Sequence, residues 1–377
     1  MAEVIITGAD RQTLGELGEF GLIGQLRTWL PPNPRTLVGI GDDAAVLATP
    51  DGRVVATTDF LLEGRHFRRD WSSATDVGHK AAARSLADLA AMGAVPSALL
   101  VALAVPADLP VSWARDLAAG LAAECLRVEG PGASVIGGDT ARADSVLLAV
   151  TGLGYLEGRA PVLRSGAAPG DMVAVAGPLG HAAAGLALLS AGIPDHRLVS
   201  AQLRPAPRYD AGPEAADLGA SAMIDVSDGL LADLGHIAAA SRVLIDLRSA
   251  ALAPAAASLL AVPAELRHAS STRTGRIPAP SPTTSPQPGS PQPGSPQAAA
   301  AELDARQRDV LPWVLAGGED HSFAATFPPG ARLPSRWTVI GTVGPAPGKP
   351  GPGVVVDGQP WLASPGWDHF TAGQAQR

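Results

Sequence analysis

At 377 residues the chain is too long for one ordinary core and fits two domains of typical size, and its 46% hydrophobic content suffices to bury them. A formal net charge of −8 excludes a phosphate-backbone nucleic-acid binder, which needs a basic face, and a single cysteine, Cys125, excludes an internal disulfide or a cysteine-built zinc site. The acidic N-terminus does not read as a signal peptide, and the longest apolar run, Ala94 to Ala107, is interrupted by Pro96 and Pro106, so a cytoplasmic protein without a membrane span is expected.

In chain order, the apolar spacing from Glu19 to Leu30 predicts a short amphipathic helix. Strand-like runs follow at Thr36 to Ile40 and Arg53 to Thr57, each ending in an acidic motif. Ala74 to Met92 reads as a helix, with Thr75 and Asp76 suited to its start and Gly93 to its end. Ala98 to Val105 and Ser145 to Tyr155 read as strands around a helix from Trp113 to Val128. The alternation points to a mixed α/β (α+β) domain over residues 1–157.

A second α/β domain is expected over residues 158–377. Its strands are predicted at Asp171 to Ala176, Ala222 to Val226 and Val243 to Leu247, with helices at Gly180 to Ala191 and Gly229 to Ser241. From about 270 to 300 the composition falls to Pro, Ser, Thr, Gly and Gln; such an insertion has no apolar face to bury and is expected to be disordered. Two further strands are expected between Trp337 and Phe370.

The chemistry lies in short acidic motifs. They are Gly39-Ile40-Gly41-Asp42-Asp43, Thr57-Thr58-Asp59, Asp88 in an apolar helix, Gly137-Gly138-Asp139-Thr140, Asp225-Val226-Ser227-Asp228 and Gly317-Gly318-Glu319-Asp320. Taken singly, an Asp beside Gly is ordinary turn composition. Together, carboxylates beside glycines suit Mg²⁺, a hard cation held by a few carboxylates, waters and substrate phosphates. A P-loop is excluded, because Pro350 follows Lys349. Gly39-x-Gly41-x-x-Ala44 matches a relaxed dinucleotide fingerprint, yet Asp42 and Asp43 would repel the pyrophosphate it should cradle.

The ordered series GIGDDAAVL, TTDFLLEGRHF, SLADLAAMGA, GGDT, RSGAAPGD, IDVSDGLLADL, AGGED and GWDHF resembles the thiamine-monophosphate kinase family, within the aminoimidazole ribonucleotide synthetase-like superfamily. The match runs from about Gly18 to Phe370 and omits only the Pro/Ser-rich insertion. The resemblance implies a two-domain aminoimidazole ribonucleotide synthetase-like fold, a homodimer, and ATP, Mg²⁺ and thiamine monophosphate meeting in a cleft. It implies metal ligation by Asp42, Thr57, Thr58, Asp59, Asp88, Asp139, Asp225 and Asp228, with Asp59, Asp88 and Asp228 catalytic. ATP contacts fall to Gly138, Asp139, Arg164 and Ser227, and thiamine contacts to His66, Glu319 and Trp367.

On residue chemistry alone, His66 is as readily a structural histidine, Arg164 a surface arginine and Trp367 a packing residue. The chain departs from the family at His321-Ser322, where Tyr-Glu is common. Rival readings are another ATP-dependent enzyme of the superfamily or a non-catalytic nucleotide- and metal-binding regulator. A selenophosphate synthetase-like chain would carry a reactive Cys near its N-terminus, which is absent here.

Overall fold

The structure is a computed structural model that describes residues 12–40, 44–267, 305–348, 351–362 and 366. Its first half runs α1 (Leu14–Leu17), α2 (Glu19–Trp29), β1 (Thr36–Val38), β2 (Val46–Leu47), β3 (Val55–Leu62), α3 (Ala74–Ala91), β4 (Val95–Val105), α4 (Val111–Cys125), β5 (Ser134–Arg142) and β6 (Leu147–Tyr155). The second half adds β7 (Met172–Ala176), α5 (His181–Ser190), α6 (Val199–Leu203), α7 (Ala211–Asp217), β8 (Ala222–Val226), α8 (Leu230–Ser241), β9 (Val243–Leu247), α9 (Ala253–Leu259), α10 (Ala305–Ala316), β10 (Ser322–Phe327), β11 (Trp337–Pro345), β12 (Gly353–Val356) and β13 (Gln359–Pro360). The Pro/Ser-rich insertion lies outside the described residues.

Several elements differ from expectation for local reasons. The strand expected to end at Thr57 continues to Leu62, because it pairs with β6 along its whole length; Thr57, Thr58 and Asp59 therefore lie inside it. The cap of α3 is Ser73, not Thr75. Its hydroxyl accepts from the Asp76 N–H while the Asp76 carboxylate accepts from the Ser73 N–H, a reciprocal capping box. Asp139 sits within β5, not at a strand end. Strand β10 has no counterpart in the sequence reading, since all its positions are buried and it shows no alternation.

The first sheet has the order β3-β6-β4-β5, antiparallel except for the β4–β5 pair, which α4 connects. Helices α3 and α4 pack together over one face at unusually short range. A Cβ on Gly78 would lie 2.2 Å from the Leu117 carbonyl oxygen, and one on Gly120 would lie 2.2 Å from that of Thr75. No described helix covers the opposite, bare face: Ala56, Thr58, Phe60 and Ala102 are all exposed, Phe60 by 55%, while Leu100, Ala149 and Thr151 are half-buried.

The second sheet has the order β13-β12-β9-β11-β7-β10-β8, in which only β12–β9 is parallel. Along β10, Phe323, Ala325 and Phe327 join a core that continues through α3 into the first sheet, while Ala324 joins a separate core containing α5, α8 and α10. Helix α3 is thus the shared wall between the two sheets. It brings residues 80–88 against β8 and the turn that precedes β10.

Two outcomes follow from this packing. Gly78→Ala drives a methyl into the α4 backbone and should cost about 1–3 kcal/mol, read as a lowered denaturation midpoint in urea; an unchanged midpoint would show that the helices separate freely. Cys125 is buried, and burial followed by the Glu124 charge pushes its thiol up to about 12. It should resist a thiol reagent in the native protein and react only after unfolding.

Candidate active site

Helix and strand periodicity combine to build the centre of the site. On β3, Thr57 and Asp59 are two residues apart and share a face; on α3, Ser85 and Asp88 share the face that meets it. The Thr57 hydroxyl donates to Asp88 Oδ2 at 2.7 Å, and the Ser85 hydroxyl donates to Asp59 Oδ2 at 2.9 Å. From the second sheet, Asp225 of β8 faces Asp88. Burial, then the charges of Asp225 and Asp59, push the Asp88 carboxyl up to about 7, against the opposing pull of the Thr57 hydroxyl and His321.

The loop after β8 carries Ser227 and Asp228. A single oxygen of Asp233, Oδ2, accepts the N–H groups of Ser227, Asp228 and Gly229 at 3.0, 3.1 and 3.1 Å. Burial, with Asp225 and Asp228 adding to it, pushes Asp233 up to about 8. These three donors hold the loop, so they are not available to a phosphate, and any contact from Ser227 falls to its hydroxyl.

Next to that loop, Glu319 and His321 both adopt positive φ, 68° and 51°. Their N–H groups bond to the carbonyls of Ser227 at 2.7 Å and Val226 at 2.9 Å, which fixes the turn. The three successive side chains reach three different elements. Glu319 Oε2 accepts from Lys80 Nζ of α3 at 3.0 Å and from Gln202 Nε2 at 2.8 Å, while Arg84 Nη1 lies 3.4 Å from Oε1. Asp320 accepts the N–H groups of Gly180 and Ala182 at the start of α5, at 2.5 and 2.8 Å. His321 Nδ1 lies 3.0 Å from Asp225 Oδ2. Burial raises the Glu319 carboxyl, but Lys80 and Arg84 outweigh it and hold the group at about 2.

Of the expected site residues, Thr57, Asp59, Asp88 and Asp225 converge, with Ser227, Asp228 and Glu319 on the adjoining loops. Thr58 and Asp139 do not join them. The register pairs Thr58 with Thr151 and Asp139 with Ala102, which sets both on the bare face, away from α3. They also stand on opposite edge strands, three strand spacings or roughly 14 Å apart along the sheet. Gly138 is obligatory, since a Cβ there would fall 1.9 Å from the Val101 carbonyl oxygen.

Arg164 is exposed beside the beginning of β8, where the neighbouring Leu163 carbonyl accepts from the Met223 N–H. His66 Nδ1 accepts from the Leu62 N–H at 3.0 Å, so the neutral ring carries its proton on Nε2. Asp42 and Trp367 lie outside the described residues. Among those described, no group of three or more acidic, histidine or cysteine side chains is placed so that it could by itself hold a metal ion. Lys80, Arg84 and Asp233 are not among the residues expected at the site from sequence. The spacing of Lys80, Arg84 and Asp88 by one helical turn each was the available signal for the first two.

Comparison with known proteins gives the family. Residues 41–156 match the family model "AIR synthase related protein, N-terminal domain". A thiamine-monophosphate kinase of Mycobacterium tuberculosis is 42% identical over 362 residues, covering 96% of this chain and 94% of its own. The crystal structure of thiamine-monophosphate kinase from Stenotrophomonas maltophilia K279a superposes with a TM-score of 0.66 at 31% identity, covering 91% of this chain and 97% of its own. AaThiL complexed with AMPPCP and TMP superposes at 0.64 with 30% identity, covering 95% of this chain and 99% of its own. The chain belongs to the thiamine-monophosphate kinase family.

Proposed function

We propose that this chain transfers the γ-phosphoryl group of ATP to thiamine monophosphate, forming thiamine diphosphate by direct in-line displacement. The observation that carries the reading is the meeting of Asp59, Asp88 and Asp225 from two sheets, crowded enough to raise the Asp88 carboxyl to about 7. Crowded carboxylates of this kind suit a divalent cation, and Mg²⁺ asks for only one or two of them plus waters and phosphate oxygens. Asp59, Asp88, Asp225 and Asp228 would hold it, with Asp42 as a further ligand and Thr57 adjoining. When bound, Mg²⁺ screens the repulsion between the two phosphate groups.

The protein's own groups do the positioning. Thr57 and Ser85 orient Asp88 and Asp59 through their hydroxyl donors. A phosphate monoester, with a second pKa of about 6, is already largely dianionic near neutrality, so no strong base is needed for attack. Ser227 and Arg164 are the proposed ATP contacts, together with Gly138 and Asp139. His66, Glu319 and Trp367 are the proposed contacts to the thiamine moiety. The proposed domain division falls between residues 157 and 158, and the proposed compartment is the cytoplasm; among the described residues no helix is long and apolar enough to cross a membrane.

The bare face of the first sheet supports a homodimer. Its exposed Ala56, Phe60 and Ala102 are apolar, and both of its edge strands, β3 and β5, lack a neighbour among the described residues. Mg²⁺ ligands must lie within a few ångströms of one another, so Thr58 and Asp139 of one copy cannot share an ion across roughly 14 Å of sheet. If two copies pack through this face, Asp139 and Thr58 of one site would come from different copies.

Asp59→Asn and Asp88→Asn should each lower turnover about 10²-fold or more while circular dichroism stays native; near-normal turnover in both would remove the metal role. Mixing inactive Asp59→Asn and Asp139→Asn chains tests the shared site. Reassortment should restore about a quarter of wild-type activity if each site draws Asp59 and Asp139 from different copies. No recovery would place both residues of a site on one chain.

A further inference from the structure

Helix α3 presents Lys80, Arg84 and Asp88 at successive turns on the stripe that faces the second sheet. The two cations are held very differently. Lys80 Nζ is buried and well satisfied, donating to Glu319 at 3.0 Å and to the Gln202 carbonyl at 3.1 Å. Arg84 is only 13% exposed, yet its single hydrogen bond among the described residues, to Glu319, is 3.4 Å long, and Asp59 Oδ1 stands 3.7 Å from Nη2. Among the described residues its Nε is buried without a hydrogen-bond partner.

A guanidinium offers five donors in a planar fork, and burying its Nε–H without an acceptor is unfavourable unless another group completes the set. Pairing with Glu319 engages little of the fork, because Lys80 and Gln202 already hold Oε2 and Arg84 reaches only Oε1, through Nη1 at 3.4 Å. Its position is informative as well. Arg84 bridges Asp59, in the acidic cluster, and Glu319, the candidate contact to the thiazolium cation. An anion lying between a metal-bound triphosphate and a thiazolium ring is the phosphate of the acceptor.

We propose that Arg84 binds the phosphate monoester of the acceptor substrate, its guanidinium fork taking the phosphate oxygens and setting them in line with the donor. The proposal rests on the kinase reading given above. The same fork chemistry would suit the γ-phosphate of ATP, and the experiment separates the two sources.

The test is calorimetric binding of thiamine monophosphate, unphosphorylated thiamine and Mg²⁺–AMPPCP to wild type, Arg84→Gln and Arg84→Lys. Arg84→Gln should weaken thiamine monophosphate by about tenfold or more and leave thiamine and the nucleotide unchanged. Arg84→Lys keeps the charge without the fork and should fall between. In steady state, KM for thiamine monophosphate should rise while KM for ATP holds. Equal loss for thiamine and its monophosphate, a loss confined to the nucleotide, or no change would each overturn the proposal. Wild-type turnover is measured alongside. Its absence removes the kinase reading, whereas turnover with an unaltered preference for the phosphorylated ligand removes only the role of Arg84.

Discussion

Mutual repulsion among carboxylates is the constraint around which this molecule is arranged. Asp59, Asp88 and Asp225 would part if they were on flexible segments. They stay together because each is fixed to a rigid element: an eight-residue strand, an eighteen-residue helix and a fully buried strand. The unfavourable electrostatics show in the raised proton affinity of Asp88. The fold supplies the opposing energy through the continuous apolar core that runs from the first sheet through α3 into β10.

Polar contacts across the same seam add register to that core. Glu124 of α4 is almost completely buried and gathers His79, Arg127 and Tyr209 around it, at 2.9, 2.6 and 2.6 Å. Asp76 pairs with Arg204, and Lys80 with Glu319. These pairs tie α3 and α4 to the segment around α6 and α7 and to the turn before β10. Their value lies less in net stability than in fixing one relative position for the two sheets, since breaking a buried pair leaves an uncompensated charge. A site divided between two sheets needs that fixity, because a displacement of an ångström would separate its carboxylates.

Much of the site was legible because its chemistry is carried by local motifs. Asp59, Asp88, Asp225 and Asp228 announce themselves beside glycines, threonines or a run of alanines, and the main helices follow from apolar spacing. What stayed hidden depends on contacts distant in sequence. Lys80 and Arg84 acquire meaning only through Glu319, more than two hundred positions away. The face on which Asp139 lies depends on the strand order and on an irregularity in the β4–β5 register at Leu99/Leu100, neither of which is written locally. Strand β10 went unseen because it is buried on both faces.

The turn at Glu319, Asp320 and His321 acts as a three-way joint. Its alternating left-handed backbone sends adjacent side chains to α3, to the start of α5 and to the end of β8. With so few free dihedrals between them, none of these three elements can shift without dragging the other two. Any hinge between the halves of the molecule must therefore pivot elsewhere or break this knot first, and a disturbance felt at the Glu319 carboxylate would reach Asp225 through barely two peptide planes.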